Sequence, residues 1–180
     1  IPGNAPALLI NGNYLGADSI IFDLEDAVSP DEKDAARILV RNTLRHMDYR
    51  GTGTIVRINS IDTGYWKADV DEVLKHAPDL IMLPKAGCKE DIDVAEAYLS
   101  EAEERLGIEQ GGVGIIALIE TAQGIERAYD IAGASARVKA LLLGAEDLTA
   151  DLKCARTKEG REIEYARARL VTAARAAGID

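Results

Sequence analysis

The chain has 180 residues, 47% hydrophobic and 29% charged, with 31 acidic side chains against 21 Lys and Arg and a formal net charge of −10. That length suffices for one sizeable domain, and the longest apolar runs, such as Gly114 to Ile119, are far too short to cross a bilayer. The acidic excess without a Lys/Arg cluster argues against nonspecific nucleic-acid binding, and an anionic substrate would need local basic groups. No basic segment followed by an apolar core stands at Ile1-Pro2-Gly3-Asn4, which neither reveals nor excludes a targeting signal, and the cytosol is taken as the default compartment. Cys88 and Cys154 lie in polar contexts at no metal-like spacing and read as free thiols.

In chain order, aliphatic runs alternate with longer amphipathic stretches, which is the pattern of repeated βα units. The first strand is expected at Ser19 to Leu24 and runs directly into Glu25 and Asp26. A helix follows over Pro30 to His46, and Ser29-Pro30-Asp31-Glu32 predicts its start: Ser29 as cap, Pro30 at the first helical position, Glu32 completing a capping box. Thr54 to Asn59, Leu80 to Pro84, Gly114 to Glu120 and Lys139 to Ala145 read as further strands. Helices are expected at about Tyr65 to His76, Glu90 to Leu106, Thr121 to Ala132 and Gly160 to Ala177, with Gly107 and Gly178 as helix ends. His46 and His76 near helix C-termini read as surface structure, and Tyr65 and Trp66 as packing.

A βα rhythm with a repeat of about 30 residues fits either a doubly wound sheet or a (β/α)8 TIM barrel. No strand is followed by Gly-x-Gly-x-x-Gly, which removes the usual dinucleotide signal. The polar residues favour the barrel, because charged groups recur where strands end: Asp23, Glu25 and Asp26; Arg57 and Asn59; Lys85; Glu120; Asp147. In such barrels the C-terminal strand ends carry the chemistry. The two-residue strand period places Asp23 with Glu25, and Arg57 with Asn59, opposite Leu24 and Ile58. Carboxylates without Cys or His partners suit a hard cation such as magnesium, held through oxygen. For any one of these residues helix capping or solvation is an adequate explanation; five strand ends in agreement make it a poorer one.

The segments FDLEDAV (22 to 28), RIN (57 to 59), LPK (83 to 85), LIETAQGI (118 to 125) and LLGAEDLTADL (142 to 152) resemble the citrate lyase beta-chain family, within the HpcH/HpaI aldolases, and the resemblance covers essentially the whole chain. It implies an α/β (β/α)8 TIM barrel and a Mg2+-dependent carbon-carbon lyase. The expected reaction cleaves a citryl thioester to oxaloacetate and an acetyl thioester. By resemblance Glu120 and Asp147 bind the metal, Arg57 grips a substrate carboxylate, and Lys85, Gly144 and Ala145 contact substrate. Glu25 and Asp26 are expected to support catalysis by holding Arg57 and Lys85 or by ordering metal-bound water. Lys85 as a Schiff-base lysine of a metal-independent aldolase, and Arg57 as a purely structural partner of the acidic cluster, are the competing readings.

The same family resemblance implies an acyl-CoA or acyl carrier protein thioester as substrate and a homo-oligomer, trimer or hexamer, in some members within a citrate lyase complex. Malyl-CoA or citramalyl-CoA lyase, a related thioesterase, and a silent subunit that binds a carrier protein remain as alternatives. Relatives also carry a strand before Pro2-Gly3 and further strands and a lid after the last helix, with an acidic residue that reaches a neighbouring subunit. Residues 1–180 are therefore expected to form about six βα units of one partial barrel domain, with the general acid or base outside the residues named here.

Overall fold

A computed structural model describes residues 1–49 and 51–180. The chain forms two compact units: residues 1–82 with 98–114, and residues 83–97 with 115–180.

In the first unit, three parallel strands, β1 (Ser19–Asp23), β2 (Gly53–Arg57) and β3 (Leu80–Leu83, of which Leu80–Met82 belong here), pair with Asp23 beside Arg57 and Arg57 beside Met82. Ile20, Phe22, Ile55, Val56, Ile81 and Met82 are buried. Strands so rich in β-branched and aliphatic residues suit a parallel sheet that covers both faces. Two helices pack with them, α2 (Lys33–His46) and α3 (Trp66–Val73), and a short α1 (Pro6–Asn11) precedes β1. α2 buries Ala36, Val40 and Thr43 beside Lys33 and Arg37, and α3 buries Trp66, Val70 and Val73 beside Asp69; both sets recur at helical spacing, so each helix turns one face inward. Trp66 stacks edge-on against Tyr98 at 5.0 Å, so it packs as the sequence suggests.

The second unit contains β4 (Gly114–Ile119, of which Ile115–Ile119 belong here) and β5 (Val138–Leu143), also parallel. β4 is buried at all six positions. Helices α5 (Ala122–Glu126), α6 (Ala128–Ala132), α7 (Ala145–Asp151) and α8 (Glu164–Ala177) complete it, while α4 (Lys89–Leu106) gives its first half to this unit and its second to the other. Gly107 and Gly178, with φ of 67° and 76°, end α4 and α8 in the left-handed conformation that glycine adopts without a Cβ clash.

Three local expectations change. Five strands stand among the described residues rather than about six units; Pro2 makes only an isolated parallel bridge to Asp23, through Asp23 N–H to Ile1 O (2.8 Å) and Gly3 N–H to Asp23 O (2.7 Å). Pro2 itself has no N–H to extend that ladder. Ser29 does not cap α2 with its side chain: its hydroxyl donates to Glu32 Oε2 at 3.0 Å, and residues 30–32 form one 3-10 turn ahead of the α-helix. The helix expected over 121–132 breaks in two at Arg127, whose ψ of 10° leaves the α-helical range. The short helices α1 and α7 lack the length that periodicity needs to reveal them.

Candidate active-site residues

At the end of β1, the ladder sets Asp23 beside Arg57, and the two side chains meet. Arg57 Nε donates to Asp23 Oδ1 at 2.8 Å, and Arg57 Nη2 pairs with Asp23 Oδ2. Glu25 Oε2 lies 3.2 Å from Arg57 Nη1. A guanidinium has five N–H donors. The two bonds to Asp23 engage two of them, on Nε and Nη2, while Glu25 meets Nη1 as an ion pair. Arg57 is thus anchored by the acidic residues and still equipped to bind a carboxylate, so the structural and substrate-binding readings are compatible.

Burial pushes the Asp23 carboxyl up, but the Arg57 guanidinium and the N–H groups of Glu25 and Ala27 outweigh it and hold the group below its usual range. For Arg57, burial opposes the charge, and Asp23, then Glu25 and Asp26, overcome that and raise its pKa. Asp26 is exposed and touches the cluster only through its field, so it does not hold Arg57 as Glu25 does.

Three residues that sequence reasoning passed over complete this end of the unit. Lys33, buried at the start of α2, donates from Nζ to the carbonyls of Leu24 (2.8 Å) and Glu25 (2.6 Å). Burial lowers its pKa, and the nearby charges of Asp69, Glu25, Asp23 and Asp26 do not fully restore it. Asp69 on α3 has no exposed surface and accepts from Arg37 Nε (2.8 Å), Asn59 N–H (2.9 Å) and Asn59 Nδ2 (2.7 Å). Asn59 therefore turns to Asp69 instead of joining Arg57. β2 stops at Arg57, so the alternation that paired the two residues no longer applies.

In the second unit, β4 delivers Glu120 into the interior, 3% exposed, where its Oε1 accepts the Lys85 N–H at 2.8 Å. Gly144 follows β5 and donates its N–H to Ile119 O at 2.9 Å. A Cβ added to Gly144 would fall 2.7 Å from Glu120 Cβ and closer still to its Oε2, so the missing side chain is what gives the carboxylate its room. Asp147, half-buried, comes three residues later in the first turn of α7, after Ala145 at its start. Thr121 caps α5 by accepting from Gly124 N–H at 3.1 Å. Glu120 stands immediately before that cap.

Lys85 itself is exposed and its φ of 56° is left-handed. Among the described residues no three His, Cys, Asp or Glu side chains gather as a ready-made metal cluster. Glu120 and Asp147 supply only carboxylate oxygens, a donor set that suits magnesium with water or substrate oxygens completing its shell. The bare face of Gly144 beside Glu120 fits that use. The two cysteines are free thiols; His46 is exposed at the end of α2, and His76 half-buried at the end of the turn after α3.

The family model described as HpcH/HpaI aldolase/citrate lyase matches residues 1–180. The chain belongs to this family. It is 44% identical over 179 residues to the citrate lyase subunit beta of Leuconostoc mesenteroides subsp. cremoris, covering 99% of this chain and 59% of that protein. Among solved structures it is similar to the citrate lyase beta subunit of Mycobacterium tuberculosis complexed with oxaloacetate and magnesium, with a TM-score of 0.77 and 32% identity over 99% of this chain and 73% of that one. Protein CitE from the same organism, in complex with magnesium, acetoacetate and coenzyme A, gives a TM-score of 0.75 and 33% identity over 99% and 61% of the two chains. The α/β fold of TIM-barrel type expected from the sequence is the fold of this aldolase/citrate lyase family. The chain spans about half to three fifths of the length of the curated relatives it matches. No helix among its described residues is long and apolar enough to cross a membrane.

Proposed function

We propose that this chain carries the metal-binding and carboxylate-binding residues of a magnesium-dependent carbon-carbon lyase that splits a citryl thioester into oxaloacetate and an acetyl thioester. The observation that carries this reading is the seat of Glu120, a buried carboxylate oriented by the Lys85 N–H and given space by Gly144. Membership of the aldolase/citrate lyase family and the magnesium and oxaloacetate in a similar solved structure support it.

In the reaction the substrate hydroxyl gives up its proton, the adjacent carbon-carbon bond breaks, and its electron pair passes into the thioester as an enolate. A proton added to that carbon completes the acetyl thioester. Glu120 and Asp147 hold magnesium. When bound, the ion supplies Lewis-acid polarisation of the substrate oxygens. Arg57 offers N–H groups not bonded to Asp23 to a substrate carboxylate, and Asp23 and Glu25 keep the guanidinium from turning away. The exposed Lys85 ammonium and the main chain at Gly144 and Ala145 make further substrate contacts. The acyl group rides on coenzyme A or an acyl carrier protein. The working enzyme is a cytoplasmic homo-oligomer, trimeric or hexameric, that in a citrate lyase complex would meet its carrier directly.

The test is 2-oxo acid release by the full-length protein from citryl-, malyl- and citramalyl-coenzyme A, with magnesium and with a chelator. Magnesium-dependent oxaloacetate release from the citryl thioester is expected. Glu120→Gln should lower that turnover by about a thousandfold, or about 4 kcal/mol of barrier, while leaving the fold intact. Preference for another thioester would move the substrate assignment, and full activity of the variant would remove the metal assignment.

A further inference from the structure

Lys85 combines two features that an exposed lysine rarely shares: a left-handed backbone and a main-chain bond to a buried carboxylate. The residue lies in a turn with Pro84 before it, at the second central position, where a positive φ normally calls for Gly or Asn. What holds a lysine there is visible on either side. The Ala86 N–H donates to Leu118 O at 3.2 Å, tying the turn to β4 two residues before Glu120. The Ala86 carbonyl is met by Gly124 so closely that a Cβ there would fall 2.7 Å from it. With the following residue fixed at its N–H and its carbonyl, the chain at Lys85 is over-determined, the condition under which an unfavourable φ persists. The result of that conformation is the 2.8 Å bond from its N–H to Glu120 Oε1.

We propose that Lys85 is a positioning residue that serves the metal site through its main chain, its left-handed turn aiming the N–H that sets Glu120 against the bare face of Gly144. This rests on the magnesium reading above. It assigns the metal-related role of Lys85 to φ and the N–H, whatever its ammonium does toward substrate. Gly and Asn accept a positive φ, whereas Val, branched at Cβ, resists it strongly. Substitutions should therefore rank by backbone preference rather than by charge.

The experiment is Mn2+ binding to the full-length protein by electron paramagnetic resonance, with circular dichroism to verify folding. Lys85→Gly and Lys85→Asn are expected to bind within about twofold of the parent, whereas Lys85→Val and Gly144→Ala weaken binding at least about tenfold. If Gly and Asn lose as much as Val, the ammonium matters and the inference is overturned. Parental binding by Gly144→Ala overturns it as well, and that variant with the Gly and Asn pair keeps the test decisive should Lys85→Val not fold. Absence of Mn2+ binding by the parent, or parental binding by Glu120→Gln, would instead remove the magnesium reading and this inference with it.

Discussion

Asp23, Glu25 and Asp69 of the first unit and Glu120 of the second are treated differently by their surroundings. Asp23, Glu25 and Asp69 are met by the protein's own cations: Arg57 pairs with the first two and Arg37 with the third. Glu120 is placed by main-chain elements, the Lys85 N–H and a glycine that withholds its side chain. A carboxylate neutralised by a fixed guanidinium has its charge already spent on structure, as is appropriate for residues that hold Arg57 still. A peptide N–H and a bare glycine fix where a carboxylate lies without themselves neutralising it. The same residue type is thus positioned in two ways, by guanidinium groups in one unit and by main-chain groups in the other.

The contrast can be broken most forcefully at Asp69. Asp69→Ala leaves Arg37 without its buried partner and Asn59 without its acceptor, and should cost about 3–5 kcal/mol of stability in urea denaturation. A loss under about 1 kcal/mol would mean that the first unit does not depend on its ion pairs. Arg57→Lys is gentler: an ammonium keeps a charge beside Asp23 but cannot present a planar fork. Steady-state kinetics should show KM for the thioester rising at least about tenfold with a smaller change in kcat, equivalent to about 1.4 kcal/mol of binding. An unchanged kcat/KM would confine Arg57 to structure.

Acid should sharpen the comparison with the smallest effect. Asp23 has its pKa depressed on folding, so its stabilisation is fully present above its ordinary value of 3.8 and is lost only as pH falls through the lower folded value. Glu162, held down to about 2 by the Thr157 hydroxyl and N–H and by Arg156, follows the same sign on the surface of the second unit. Carboxyl resonances followed by NMR should show Glu162 titrating near about 2. A midpoint in the usual carboxylate range would show that those contacts do not persist in solution.

Much of this was readable in advance, for identifiable reasons. Each of the five strands falls within about two residues of its aliphatic run, because the strands of a parallel sheet are predominantly aliphatic, fully so in β4 and less so in β5, where Lys139 and Leu142 are exposed. The approach of Asp23, Glu25 and Arg57 was legible because one strand period and one ladder register bring them together. Lys33, Arg37 and Asp69 were not. On their own helices they read as solvated charges, and only the packing of α2 and α3 makes them interior. Lys85 hides its left-handed turn for the same reason, since the bond and the close packing that hold the following residue come from Leu118 and Gly124, more than thirty residues away. Asp26 shows the converse: a carboxylate next to the cluster in sequence is simply turned outward.

β4, buried at every position, carries one more consequence. A strand that alternates polar and apolar residues announces its own register, because sliding by one place would put its greasy side in water. Gly-Ile-Ile-Ala-Leu-Ile has no such signal; moved along by one residue, it would remain as apolar as before. The slip would be felt at the end of the strand, where Glu120 would lose the peptide group and the empty space made for it. The residue assigned to the chemistry is thereby also a registration mark, telling an otherwise ambiguous strand where to stop.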